Sequence, residues 1–222
     1  MSKKDRLDII YEDKNLIVVN KPSGLLTVST DKEKEKTLIH KVINYEKKKN
    51  KNNKVFIVHR LDKDTSGIVV FAKSIKIKNL LQNNWDSLVE LRQYVAVVEG
   101  IPDAENKTLR SWLKEDKTLR VYSSKKEGDG QLAITKYRVV LHNNNYSLLE
   151  VEIKTGRKNQ IRVQLSENGN PIIGDKKYNS KTNPIKRLGL HANKLIIINP
   201  ITKQKMMFET DVPDCFVEII NK

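Results

Sequence analysis

The sequence predicts an α+β fold whose body is one large, mainly antiparallel sheet flanked by helices. Three observations predict it. Short β-rich apolar runs recur along the whole chain. Two pairs of them fold back through turn-forming residues, at Glu12–Asn15 and at Asn143–Asn145. Three other segments carry apolar residues at helical spacing and are interspersed among the strands.

The elements follow in order. LDIIYEDKNLIVVNKPSG reads as two short strands, the second ending at Pro22 and Gly24. TLIHKVINYEKKK places Leu38, Ile39, Val42 and Ile43 on one helical face. EKKKNKNNK, residues 46–54, holds five Lys and three Asn and reads as an exposed loop, with RNA contact as a secondary role. VFIVHRL and GIVVFAK are β-rich runs on either side of a polar stretch. IKIKNLLQNNW is a helix, and LRQYVAVVEG is a strand with Tyr94, Ala96 and Val98 alternating. Residues 101–131 are poorly patterned and give no element. AITKYRVVLHNNNYSLLEVEIKT is a hairpin, and KNQIRVQLSENG is a helix closed by Asn168-Gly169. LGLHANKLIIINP and QKMMFET are late strands. There is no repeat and no linker long enough to part domains, so residues 1–222 are expected to form a single domain.

Charge points to the partner. Lys plus Arg is 42 against 27 Asp plus Glu, a net +15 on 222 residues. A chain this basic fits a polyanion, nucleic acid first. Only nine of the bases are Arg, so part of the excess is a solvated lysine surface. The single cysteine, Cys215, excludes an internal disulfide and any cysteine metal cluster; it fits a reducing compartment and reads as a small apolar filler. The start, MSKKDRLD, has no apolar signal core, and no apolar run approaches the roughly 18 residues of a membrane span. A cytoplasmic protein without membrane association, and a monomer, is expected.

The polar stretch VHRLDKDTSGIVVFAKS, Val58 to Ser74, concentrates the chemistry. A calcium loop matches Asp62, Asp64, Ser66 and Gly67, but its twelfth position is Lys73 where a bidentate Glu is needed. An aspartyl phosphotransferase needs a second cluster of acids for magnesium, and downstream Asp116, Asp129 and Asp175 are scattered, which leaves that chemistry as a runner-up. The four histidines, His40, His59, His142 and His191, have no metal-ligand spacing, and neither a G-x-G-x-x-G nor a Walker loop occurs. No metal and no cofactor are therefore expected. What remains is carboxylate chemistry, with a guanidinium beside the acid, on a substrate attracted by positive charge.

HRLDKDTSGIVVFAKS resembles the signature of the RluA-like pseudouridine synthases, which isomerise uridine in ribosomal and transfer RNA. Four further blocks resemble the family in order: VNKPSGLLTVS (19–29), LRQYVAVVEG (91–100), TGRKNQIRVQLSENGNPIIGDKKY (155–178) and LGLHANKLIIINP (188–200). The resemblance implies the family's catalytic fold, two lobes with a central cleft. It implies Asp62 as the catalytic carboxylate, Arg162 as its pairing cation, and Tyr94 against the uracil ring. Arg60 becomes the candidate to fill the space left by an extruded base, with Arg157 and Lys158 on phosphates. Asp64 falls to a turn-shaping role with Thr65, Ser66 and Gly67, while His59 and His191 read as structural. Asn159 and Gln164 stand where the family commonly has His. The first block begins near residue 19, so no N-terminal S4-like RNA-binding module is expected. The competing class is a non-catalytic basic RNA-binding or ribosome-assembly protein on the same fold, against which Asp62, Tyr94 and Arg162 stand intact.

Overall fold

The structure is a computed structural model and describes residues 7–31, 33–124 and 126–222; the MSKKDR start lies outside them. The chain forms two compact units, residues 1–90 with 192–211, and residues 91–191 with 212–222. Both are α+β, and every strand pair recorded within them is antiparallel. Among the described residues no helix is long and apolar enough to cross a membrane.

In the first unit the strand order is β1 (Ile9–Glu12), β2 (Leu16–Lys21), β4 (Ser66–Ala72), β10 (Leu190–Ile198); β3 (Phe56–Ile57) adds to β4 and β11 (Lys205–Glu209) to β10. The first hairpin turns where the sequence predicts: Asp13 Oδ1 accepts from the backbone N–H of Asn15 and Leu16, both at 2.7 Å. Leu16, Val18, Ile68, Val70, Leu195, Ile197 and Phe208 share one core with Ile77 and Leu81. The alternate residues Ile17, Val19, Val69 and Phe71 are buried too. These strands are covered on both faces, which is why they read as unbroken apolar runs.

Helix α1 (Leu38–Lys49) is capped by Thr37, whose Oγ1 accepts from His40 N–H, and ends on Lys47, Lys48 and Lys49, which suit the negative end of the helix dipole. It takes in half of the stretch expected as an exposed loop. Glu46 is buried, with its carboxylate on Lys49 and Asn53, and only Asn50–Lys54 is loop. Apolar periodicity ends at Ile43, so the sequence hides a turn held by a buried carboxylate paired with an exposed lysine. Beside it Glu12 accepts from Lys73 (2.5 Å), from Tyr45 Oη (2.9 Å) and from Lys49. Burial pushes the Glu12 carboxyl up, but these bonds outweigh it and hold the carboxyl at about 2. Helix α2 (Ile75–Asn83), capped by Ser74, packs Ile77 and Leu81 into the core; the short α3 (Trp85–Leu88) follows.

In the second unit the order is β5 (Val89–Glu99), β9 (Tyr146–Ile153), β8 (Gln131–His142), β6 (Asn106–Glu115), β7 (Val121–Ser124). The β8–β9 hairpin closes at Asn143, whose Oδ1 accepts from Asn145 and Tyr146 N–H. Helix α4 (Gln160–Glu167) covers Ala96 and Val98 with Ile161 and Leu165; helix α5 (Asp214–Ile220) covers Val95 and Val97 with Phe216 and Ile220. The alternation of Tyr94, Ala96 and Val98 therefore names one face of a strand buried on both. Cys215 lies partly buried beside the α5 cluster. Strands β6 and β7 correct the reading of 101–131: their faces are half-exposed, and Asn, Lys, Arg and Ser dilute the pattern. Helix α4 ends as predicted, with Gly169 at φ +91° and Asn170 N–H on Leu165 O.

Candidate active site

The acid of the polar stretch sits on a loop pinned by its main chain. VFIVHRL is strand only at Phe56 and Ile57; Val58–Thr65 runs as a connection into β4, with Asp62 half-buried and Arg60 and Asp64 exposed. The segment after β2 holds this connection residue by residue. Thr27 Oγ1 accepts from Leu61 N–H at 3.2 Å and donates to Leu61 O at 2.7 Å. Gly24 N–H and Lys21 Nζ both donate to Lys63 O, at 3.0 and 2.8 Å. Ser23 Oγ donates to Asp64 O at 2.6 Å.

Lys21 was no sequence candidate, yet it anchors this site. Its residue exposure is 0%, and its ammonium also donates to Leu25 O (2.7 Å) and Pro22 O (3.1 Å). A buried lysine must be met by polar atoms, and here carbonyls of two crossing segments meet it. A basic residue ending an apolar strand just before Pro-Ser-Gly was the available signal.

Two motif residues have structural roles. Gly67, at φ +116°, runs against β10: a Cβ there would lie 2.1 Å from Ala192 O. His59 Nε2 accepts from Val70 N–H at 3.1 Å, and its ring lies 5.0 Å from Trp85, so it ties the loop to β4. His191 is buried.

The second unit holds the remaining candidates. Tyr94, partly buried on β5, packs on the face that α4 covers. Arg162 on α4 is enclosed. Its Nε donates to Asp175 Oδ2 (2.6 Å) and Nη2 to Asp175 Oδ1 (2.8 Å), a bidentate pair. Nη1 donates to Asn159 Oδ1 at 3.0 Å, and the guanidinium lies 5.0 Å from the centre of the Tyr178 ring. Tyr178 Oη in turn accepts from Asn159 Nδ2 (3.0 Å) and Val121 N–H (3.3 Å), and burial pushes its phenol up. Asn159 is therefore a support of Arg162. Gln164 is buried with its Nε2 on Ser111 Oγ and Ala133 O. Asp175, one of three acids scattered in the sequence, is with Lys21 a residue that no local pattern marks. Arg157 and Lys158 are exposed; Arg157 Nε donates to Leu132 O at 3.1 Å, and Lys158 pairs with Glu115.

A sequence profile described as RNA pseudouridylate synthase matches residues 15–167, which takes in Asp62, Tyr94 and Arg162. The chain belongs to this family. An RNA pseudouridylate synthase is an isomerase that converts uridine to pseudouridine. The chain is 34% identical over 209 residues to the uncharacterized RNA pseudouridine synthase YhcT of Bacillus subtilis (strain 168), covering 93% of this chain and 69% of that protein. It is 31% identical over 229 residues to ribosomal large subunit pseudouridine synthase D of Haemophilus influenzae, covering 97% and 70%. Among solved structures, human RNA pseudouridylate synthase domain containing 4 superposes with a TM-score of 0.78 at 24% identity over 96% of this chain and 92% of that one, a likeness of fold.

Proposed function

We propose that this synthase acts on ribosomal or transfer RNA in the cytoplasm as a monomer, with Asp62 as its catalytic carboxylate, Arg162 as the cation of the catalytic site, and Tyr94 against the uracil. Ribosomal RNA is favoured by relatives named as ribosomal large subunit pseudouridine synthase D.

The reaction breaks the bond between ribose C1′ and uracil N1, turns the base, and joins C1′ to C5. The C5 proton leaves and N1 gains one, so atoms and electrons balance without an oxidant, a reductant or an energy source. A carboxylate serves it by attacking the sugar carbon, attacking the ring, or taking a sugar proton. Each role needs an ionised, oriented acid. The observation that carries the reading is the main-chain clamp: Leu61, Lys63 and Asp64 are each bonded to residues 21–27, so the main chain is held one residue before Asp62 and again one and two residues after it.

A uridine in folded RNA must leave its stack to reach the acid, at a cost of a few kcal/mol. Arg60, exposed two residues before Asp62, stacks on the neighbouring bases once the uridine is out. Arg157 and Lys158 stay with the phosphates, and binding draws on the net charge of +15.

The test is tritium release from RNA labelled at uridine C5, with total RNA of a deletion strain as substrate. Release by the wild-type protein, at the full rate in EDTA on an RNA that keeps its fold, is expected. No release from RNA that lacks the modification overturns the reading.

A further inference from the structure

Arg162 is held by more than its proposed role in charge pairing requires. Asp175 is enclosed, with 1% of its side chain exposed against 11% for Arg162. Its oxygens are committed: Oδ2 to Nε, and Oδ1 to Nη2 and to Tyr178 N–H at 3.3 Å. Its backbone is fixed as well. Asp175 N–H donates to Ile172 O, and Asp175 O accepts from Tyr178 and Ser180 N–H. Before it, Gly174 at φ +76° turns the chain where a Cβ would lie 2.3 Å from Arg187 O.

A carboxylate so enclosed touches no substrate, so its effect runs through its partner. Stability alone does not explain it, because a buried ion pair is often replaced by apolar residues at no loss. Geometry gives the reason. A guanidinium has five N–H groups in one plane. Asp175 takes the side edge, Nε with Nη2, and Asn159 takes one N–H of Nη1. Planarity puts the second Nη2 N–H on the end edge, away from Asp175. The guanidinium carbon lies over the Tyr178 ring, 5.0 Å from its centre, which packs the group on a further side.

We propose that Asp175 is the positioning residue of this active site: it locks the side edge of Arg162, so that the end edge is presented in one orientation to the reacting groups. The inference rests on the reading of Arg162 as the cation of the catalytic site. It adds to that reading a third charged group, 13 residues beyond Arg162 in the sequence.

Two measurements test it. The first needs no activity: the 15N-edited spectrum of the wild-type protein, with the Arg162 Nε–H signal assigned by its loss in Arg162→Lys. A signal that persists at neutral pH and disappears in Asp175→Asn supports the lock. An Arg162 Nε–H exchanging as fast as that of exposed Arg138 overturns it. The second is single-turnover tritium release at saturating RNA. Asp175→Asn is expected to slow it about 30-fold or more while RNA affinity stays within about threefold, and Asp175→Glu to recover part of the loss. In the Arg162→Lys background the same change is expected to cost under about threefold, because both act through one group. Equal losses in both backgrounds overturn the proposal, as does a folded Asp175→Asn protein with the wild-type rate. A protected Nε–H in a protein inactive on unmodified RNA supports the lock while overturning the assigned reaction.

Discussion

The ammonium of Lys21 lies 2.8 Å from the carbonyl oxygen of Lys63, the residue that follows Asp62. A cation inside the first unit is thus spent on the backbone of the loop that carries the acid.

Lys21→Met keeps the length of the side chain and deletes the donor. The carbonyls of Pro22 and Leu25 lose this donor, and that of Lys63 keeps only Gly24 N–H. A buried acceptor left without its donor costs about 1–3 kcal/mol, so a destabilisation of about 3 kcal/mol is expected. Among the molecules that stay folded, the saturated rate is expected to fall on the order of tenfold as Asp62 loses its fixed setting. Thermal unfolding and single-turnover release, measured on the same preparation, separate the two effects.

Asp62→Asn is expected to lower the rate at least on the order of 1,000-fold, about 4 kcal/mol of barrier, with RNA affinity within a few-fold. Asp64→Asn is expected to keep most activity, since the bond that holds residue 64 runs to its main-chain oxygen. The reverse order, with Asp64→Asn dead and Asp62→Asn active, would falsify the assignment.

Arg60→Ala and changes at Lys47, Lys48, Lys51 and Lys54 are expected to separate chemistry from attraction. The lysines are exposed at the end of α1 and in the loop after it. Removing them is expected to weaken binding and flatten its salt dependence without changing the saturated rate. Arg60→Ala is expected to slow the saturated rate far more than it weakens binding. Single-turnover rates across a salt series decide it: a normal saturated rate in Arg60→Ala reduces Arg60 to a phosphate contact.

Glu12 gives a pH signature. Its carboxyl is held at about 2 in the fold against an ordinary 4.5. The folded value is depressed, so this group's contribution is complete above about pH 5 and is lost as pH falls from 4.5 through 2. Glu12→Gln is expected to lower the melting temperature at pH 7, and the gap from wild type is expected to close towards pH 2. A constant gap across that range contradicts the assignment.

What the sequence could carry depended on whether a pattern is local. The hairpin turns at Asp13 and Asn143 rest on side chains bonding two or three residues ahead, and they were legible. So was α4, whose stop signal at Asn168-Gly169 is local. Strands β6 and β7 were not, because each is half-exposed and its apolar face is interrupted by polar residues. Helix α5 was missed because DCFVEII offers two turns and no capping side-chain bond. Among the candidate site residues, Asp62, Tyr94 and Arg162 stand out through motif resemblance. Lys21 and Asp175 do not. Each acts by meeting a partner brought near by the fold, and a lone Lys or Asp carries no sign of that partner.

Gly67 meets Ala192 because β10 is laid against β4 from far along the chain. During synthesis, residues 1–90 emerge long before residues 192–211, which supply Leu195, Ile197 and Phe208 to the same core. Until then one edge of β4 is paired only by β3, at Phe71 and Ala72, and an apolar edge left open over the rest of its length is an aggregation hazard. The nascent protein is therefore expected to acquire its acid-bearing loop in working form only once residues 192–211 have left the ribosome. A truncation before β10 removes the scaffold of a site whose own residues are all present.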